Sequence, residues 1–348
     1  MDKKPKIEGL ARKGASARGR SRWGREKRWR YIIEAIIVLT IVAVPAIVGY
    51  GYYDTRIKPW HQPIVRVNDT VFDMGYFVKM LRVYGLDSTS DISSAISSAQ
   101  SVATTIQDNE LMKQGLEKDF GVVISDEAIQ GKIRELVVSD NATDEEFQQK
   151  YKEVLDYYAK MGVTEKDLKQ MIVAPILIEE ELRQRVGDQA YPADQEFEHV
   201  RVQAMLVAGA DNATAVRDAW STDGDFDKLV VDYSPSKSYG ETSSDNVTGE
   251  WIPQGIESAA FGEFAFAEES VGTLSNPIPE SEGSENYWVI KVLGKGSRLL
   301  SAGDRDTLIG AAFGKWLEDA KSAEANKMVN YLDSEDGYSK IYWALDHI

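Results

Sequence analysis

Two rhythms of apolar and polar positions divide the chain from residue 64 onward. The first part opens on "IVRVNDTVFDMGYF", where Ile64, Val65 and Val67 predict a short strand, Asn68-Asp69-Thr70 its turn, and Met74 to Tyr84 a helix. Residues 87–100 are rich in Ser and Asp and predict a cap or loop. Val102, Ile106, Leu111, Leu116 and Phe120 then recur close to the helical period, and Gly121 ends that run. Ser125, with Glu127 close behind it, opens another helix. The segments from Thr143 and Thr164 repeat one pattern: a Thr cap, an acidic first turn that complements the helix dipole, an apolar stripe and a terminal Gly. Residues 64–190 therefore read as a largely helical domain.

The rhythm changes at Tyr191-Pro192. From Val200 short β-rich runs are broken by Gly, Pro, Asn and Ser, with "VRVQAMLVA" and "NYWVIKVLG" as the strongest strands. Between them "NATAVRDAWSTDGDFDKLVVDYS" predicts two short helices, which makes 198–298 a compact α+β domain. Last comes a helix within 303–348, whose stripe of Leu308, Ile309, Ala312, Phe313, Trp316, Leu317 and Ala320 is suited to dock on the helical domain. The tail "GYSKIYWALDHI" carries aromatics expected to pack. The fold class is α+β.

The first 63 residues follow neither rhythm. Residues 1–30 hold twelve Lys or Arg against three Asp or Glu, about +9. The formal net charge of the chain is −16, so the remainder carries −16 less +9, that is −25. The stretch "KGASARGRSRWGREKRWR" has no hydrophobic period and is expected to be disordered. After it, Tyr31 to Tyr53 contains one charge, Glu34, over a length that fits one helical span of a bilayer. Tyrosines at both ends suit the interfacial belt, and the basic flank then stays in the cytoplasm. On that expectation 1–30 is a cytoplasmic tail touching anionic headgroups rather than nucleic acid, and 31–53 is an uncleaved single-pass anchor, since no A-x-A site follows it. Residues 54–63 read as a short polar linker with two prolines, and the bulk of the chain lies outside the cytoplasm. Four N-x-T sequons, at Asn68, Asn141, Asn212 and Asn246, arise easily by chance.

Familiar chemistry is missing. There is no Cys, and the three His are His61, His199 and His347, which argues against zinc or haem; no metal and no cofactor is expected. No nucleophile elbow, zincin or phosphate-loop motif occurs. Acidic residues lie along helix faces, where solvated charge is their ordinary role.

The order of parts resembles the SurA/PrsA group of foldases, and residues 198–298 resemble a parvulin-type (PpiC) peptidyl-prolyl isomerase domain. The segments that carry the resemblance, in order, are "VQAMLV", "GDFDKLVVDYS", "GEWIPQG", "FAFAEESVGTLSNPI" and "NYWVIKVLG". In that family a hydrophobic cup surrounds a polar cluster of two histidines on adjacent strands with a Cys or Asp nearby. By the resemblance, the first histidine position is Ala204, the second Trp288 and the Cys/Asp position Ser236, so the cluster is substituted. His199 lies five residues from Ala204 and, on a strand, faces the other side. The cup would be lined by Met205 or Leu206, Ile256, Phe261 and Phe266, with Tyr287 beside the second position.

What the resemblance implies is a membrane-anchored extracytoplasmic foldase or chaperone that binds unfolded or proline-containing exported polypeptides, its isomerase activity weak or lost. Two alternatives stand beside it: an active isomerase with an altered site, and a non-catalytic envelope scaffold.

Overall fold

The computed structural model describes residues 39, 42, 43, 46, 48–86, 91–222, 225–233, 238–240 and 249–348. The basic tail and most of the expected Tyr31–Tyr53 span lie outside the described residues. Among the described residues no helix is long and apolar enough to cross a membrane.

The described residues form a mixed helix and sheet fold. Strands β1 (Pro63–Val67) and β2 (Thr70–Asp73) make a hairpin whose turn places Asn68 at φ 53°, a conformation Asn tolerates better than most side chains. Helices follow: α1 (Met74–Val83), α2 (Ile92–Phe120), α3 (Asp126–Val137), α4 (Asp144–Lys160) and α5 (Glu165–Leu168). A π-turn, Lys169–Val173, leads from α5 into α6 (Ala174–Ala190). Thr143 and Thr164 each close a capping box, with Glu146 and Asp167. Gly121, at φ 68°, ends α2.

Helix α2 starts earlier than the Ser-rich sequence predicts: Ile92–Gln100 is helical, capped by Asp91. Its hydroxyls explain this. Ser97 and Ser101 donate to the carbonyls four residues earlier, so they satisfy themselves inside the helix instead of competing with it. The expected polar linker is also ordered. Residues Tyr53–Ile57 form a π-turn and Lys58–His61 a 3-10 turn, and Trp60 packs edge-on against Trp343, 5.0 Å between ring centres.

The second sheet holds β3 (Glu196–Ala208), β4 (Ser238–Tyr239), β5 (Glu250–Pro253), β6 (Ile278–Pro279) and β7 (Asn286–Leu299) in the order β4-β3-β7-β6, with β5 also on β3. Helices α7 (Ala210–Ser221) and α8 (Phe226–Tyr233) cover one face, and α9 (Ala259–Ala265) belongs to the other.

Residues 303–348 are more than a helix. Helix α10 (Ala302–Ser322) is followed by β8 (Met328–Asn330), which pairs with β1 and completes the first sheet, and by α11 (Gly337–Leu345). Asn68 secures this closure. Its backbone N–H donates to the Lys327 carbonyl, its Oδ1 accepts from the Lys327 N–H, and its Nδ2 donates to Gln114 on α2, at 2.7 to 2.8 Å. The amide of this sequon is thereby enclosed in the fold.

Helix α10 seats on α2 and α6 where glycines remove side chains from the interface. A Cβ built on Gly115 would lie 2.4 Å from the Trp316 ring, and one on Gly187 would lie 2.6 Å from Ile309. Arg305 anchors the N-terminal end of α10, donating to the Tyr191 carbonyl at 2.9 Å and to Asp188 at 2.6 Å. Gly115→Ala therefore sets two effects against each other: a helix-propensity gain of about 1 kcal/mol and overpacking of about 1–3 kcal/mol against a rigid indole. We expect net destabilisation in chemical unfolding. A stabilised Gly115→Ala chain contradicts the close approach.

Candidate functional site

Strands β3 and β7 pair antiparallel along their length, from Glu196 opposite Leu299 to Ala208 opposite Asn286, with an irregularity between Arg201 and Val202. Beyond it the alternation is regular. Val202, Ala204 and Leu206 of β3 join Trp288, Ile290 and Val292 of β7 on one face, with Phe261 of α9. Met205, Val207 and Val289 face the other side, against Val216, Trp220, Phe226 and Val230 of α7 and α8.

This divides the expected site residues. Ala204, Leu206, Trp288 and Phe261 share one cluster, and Ile256 and Phe266 pack at its margin. Met205 and Tyr287 belong to the opposite layer and line no common wall with Phe261; each neighbours a residue of the first face in sequence, and neighbours on a strand point opposite ways. Ser236 lies outside the described residues. His199 is 4% exposed, and its Nδ1 lies 2.8 Å from the Phe197 carbonyl.

In place of an open cup the cluster is filled. Trp288 is fully buried and Phe261 is 1% exposed. The Trp288 indole stacks on the Tyr239 ring at 5.8 Å and 18°, and meets Phe261 edge-on at 5.3 Å and 81°. The geometry has a strand-level cause. Tyr239 stands on β4, opposite Ala204 of β3, and Trp288 stands on β7, two strands from β4. Such strands lie about 9–10 Å apart, so rings 5.8 Å apart must both lean over β3. The residue beneath them is Ala204, itself fully buried. On this face of β3 it stands between Val202 and Leu206 and is the smallest of the three side chains.

Tyr239 and Glu257 are parts of the site that sequence reasoning missed. The Tyr239 hydroxyl donates a short hydrogen bond to Glu257 Oε1. Burial, and then the Glu257 carboxylate, push the phenol above its ordinary pKa, so it stays a neutral donor. A lone aromatic in a two-residue strand, "SY", left no periodic signal. The site residues that the structure describes include no His, Cys or Asp, and no metal-binding group of His, Cys, Asp or Glu occurs among the described residues. The face packs an aromatic cluster.

An open apolar surface lies elsewhere. Helices α3 and α4 and the π-turn enclose a groove of about 460 Å³ whose walls include Ile133, Val154, Tyr158, Leu168 and Ile172. Leu136 and Tyr157 stand at it 53% and 57% exposed. Tyr151 donates to Glu165 at 3.1 Å, and burial together with that carboxylate raises its phenol to about 12. Lys150 pairs with Glu153 at 2.9 Å. The signal was present in "YKEVLDYYAKMG" as an aromatic stripe, read there only as helix.

Comparison with protein-family models and with curated proteins finds no match. Solved structures do match. A peptidylprolyl isomerase (PrsA) from Bacillus anthracis is similar at 13% identity over 70% of this chain and 94% of that one, with a TM-score of 0.37. The foldase protein PrsA from Streptococcus pneumoniae is similar at 18% identity over 82% and 93%, TM-score 0.31. A structure from the pair of SurA-like chaperones PEB4 and Cj1289 of Campylobacter jejuni is similar at 19% identity over 58% and 92%, TM-score 0.24. The chain is thus similar to PrsA/SurA-like foldases, at values that assign no role to any single residue.

Ala204 and Trp288 are coupled by volume, and their substitutions should not add. Trp288→Ala is expected to cost about 3–5 kcal/mol through the cavity it leaves, and Ala204→His about 1–3 kcal/mol through overpacking. Together in one chain they should cost less than the sum, because the imidazole occupies space the indole gave up. Denaturant unfolding of the four chains measures this; strict additivity contradicts the arrangement.

Proposed function

We propose that this protein is a membrane-anchored extracytoplasmic chaperone of the PrsA/SurA kind. Its parvulin-type domain has weak or lost isomerase activity, and its helical domain takes up unfolded stretches of exported polypeptide. Residues 31–53 would anchor it, with the basic tail in the cytoplasm. The supporting observation is a contrast: the face where a proline would sit is closed by Trp288, while the helical domain keeps an open apolar groove of about 460 Å³.

Rotation about an X-Pro bond faces a barrier of roughly 18–20 kcal/mol. A catalyst must accept the ring, strip water from the amide and hold the twisted form better than either planar one. Here the ring would first have to displace a buried indole. At about 3–5 kcal/mol for an aromatic side chain, the competent population falls by roughly two to four orders of magnitude, and apparent affinity falls with it.

The groove needs no such opening. Its walls are apolar, and its exposed Leu136 and Tyr157 present the sort of surface that gains when covered. An unfolded segment laid there buries apolar area on both partners at about 25 cal/mol per Å², less the entropy of ordering the segment. Weak and reversible holding follows, which suits a chaperone.

The full chain in detergent micelles is expected to suppress aggregation of a chemically unfolded client, and Leu136→Ser with Tyr157→Ser to weaken that suppression severalfold without lowering the melting temperature. No suppression even in molar excess would end the chaperone reading.

A further inference from the structure

The apolar groove does not end at the π-turn. A second hollow of about 260 Å³ shares Ile172 with it, and a third of about 260 Å³ shares Asn109 and Pro175 with the second. All three border the π-turn, and the second and third also lie between α2 and the start of α6. The π-turn has a local cause in Pro175. The Ala174 N–H bonds to the Lys169 carbonyl, and Pro175 has no N–H, so the carbonyl of Gln170 is left with no helical donor. Gln170 borders the third hollow and Met171 the second.

The second hollow also carries a carboxylate. Of three consecutive acids on α6, Glu180 holds Lys132 at 2.7 Å and Glu181 holds Arg185 at 2.7 Å. Glu179 lines the hollow and, among the described residues, has no cationic partner. Thr105, on the opposite wall, donates its hydroxyl hydrogen to the Ser101 carbonyl. The charged residues of the flanking hollows are paired with each other, Lys150 with Glu153 and Lys113 with Glu110. The middle of the track therefore carries one exposed carboxylate without a cationic partner among the described residues, within a chain whose residues beyond the thirtieth carry −25.

We infer that the track selects, among extended apolar segments of unfolded polypeptide, those that carry a lysine or arginine, with the cation placed at Glu179 and a backbone N–H of the segment at the π-turn. This rests on the client-binding reading above and adds to it a preference that apolar walls alone would not give. A neutral greasy groove ranks segments by hydrophobic area; a carboxylate at its centre also ranks them by charge, which gives specificity at modest gain in affinity.

The experiment uses the full chain in detergent micelles and labelled apolar peptides that differ only in a central Lys, Gln or Glu, read by fluorescence anisotropy. At low salt the Lys peptide should bind roughly two- to fivefold tighter than the Gln peptide, the Glu peptide weakest, and added salt should compress the order. Glu179→Gln should collapse the ratio between Lys and Glu peptides, and Glu179→Lys should invert it. Pro175→Ala, which restores an N–H to the helix, should weaken all three roughly two- to tenfold with no loss of melting temperature. Equal binding of the three peptides, or a ratio that survives Glu179→Gln, overturns the inference and leaves chaperone binding standing. A groove occupied by a second copy of the chain, seen as a dimer that peptide does not dissociate, overturns it as well. Absence of binding by every peptide overturns both readings.

Discussion

A methyl group under an indole is the constraint on which the sheet domain depends. Ala204 is the floor over which Trp288 reaches from β7 to stack on Tyr239 of β4, and Phe261 of α9 closes the cluster edge-on. The strands set this up. Their register puts Tyr239 opposite Ala204 and Trp288 opposite Leu206, so the two rings meet diagonally across β3 on the face that carries the small Ala204. A longer side chain at 204 is expected to crowd this cluster, and loss of the indole to leave a cavity within it. Small below and large above is one packing solution, reached by two positions together.

That solution bears on how labour is divided in the molecule. A buried aromatic cluster stabilises the sheet domain through packing, and on the proposed reading the same packing denies the face to a ligand. The helical domain differs. Its groove lies between α3, α4 and the π-turn, and Leu136 and Tyr157 stand exposed at it. Helix α10 joins the two parts: it leaves the sheet domain at β7, seats on the glycine notches of α2 and α6, and delivers β8 to the first sheet. Strands β1 and β2 thus share one core with the last elements, β8 and α11, with Asn68 and Trp60 as contacts across that join. On the proposed reading the sheet domain serves as a rigid body, and client contact falls to the helices.

Much of this was legible in the sequence where local physics decides. The strands β3 and β7 were visible as period-two runs, and Thr143 and Thr164 announced their helices because a capping side chain sits next to the backbone it caps. Non-local features were not legible. Strand β8 is three residues, "MVN", which acquire strand character only by meeting β1 across more than 250 residues of chain. The start of α2 was hidden because Ser and Thr signal a loop until their hydroxyls find carbonyls four residues back. At the site, the resemblance pointed to Ala204 and Trp288, which the structure brings onto one face. Which neighbours share a face could not, because the irregularity at Arg201/Val202 and the lean of the rings over β3 belong to tertiary packing. Tyr239 escaped for the same reason, as did the groove, whose walls come from three separate helical segments.

The most direct test of the filled face is the protease-coupled isomerisation of an X-Pro tetrapeptide by the full-length chain. The account predicts a rate close to that of the uncatalysed peptide. Turnover matching that of an intact parvulin would contradict it, because the indole would then have to leave its place on every cycle.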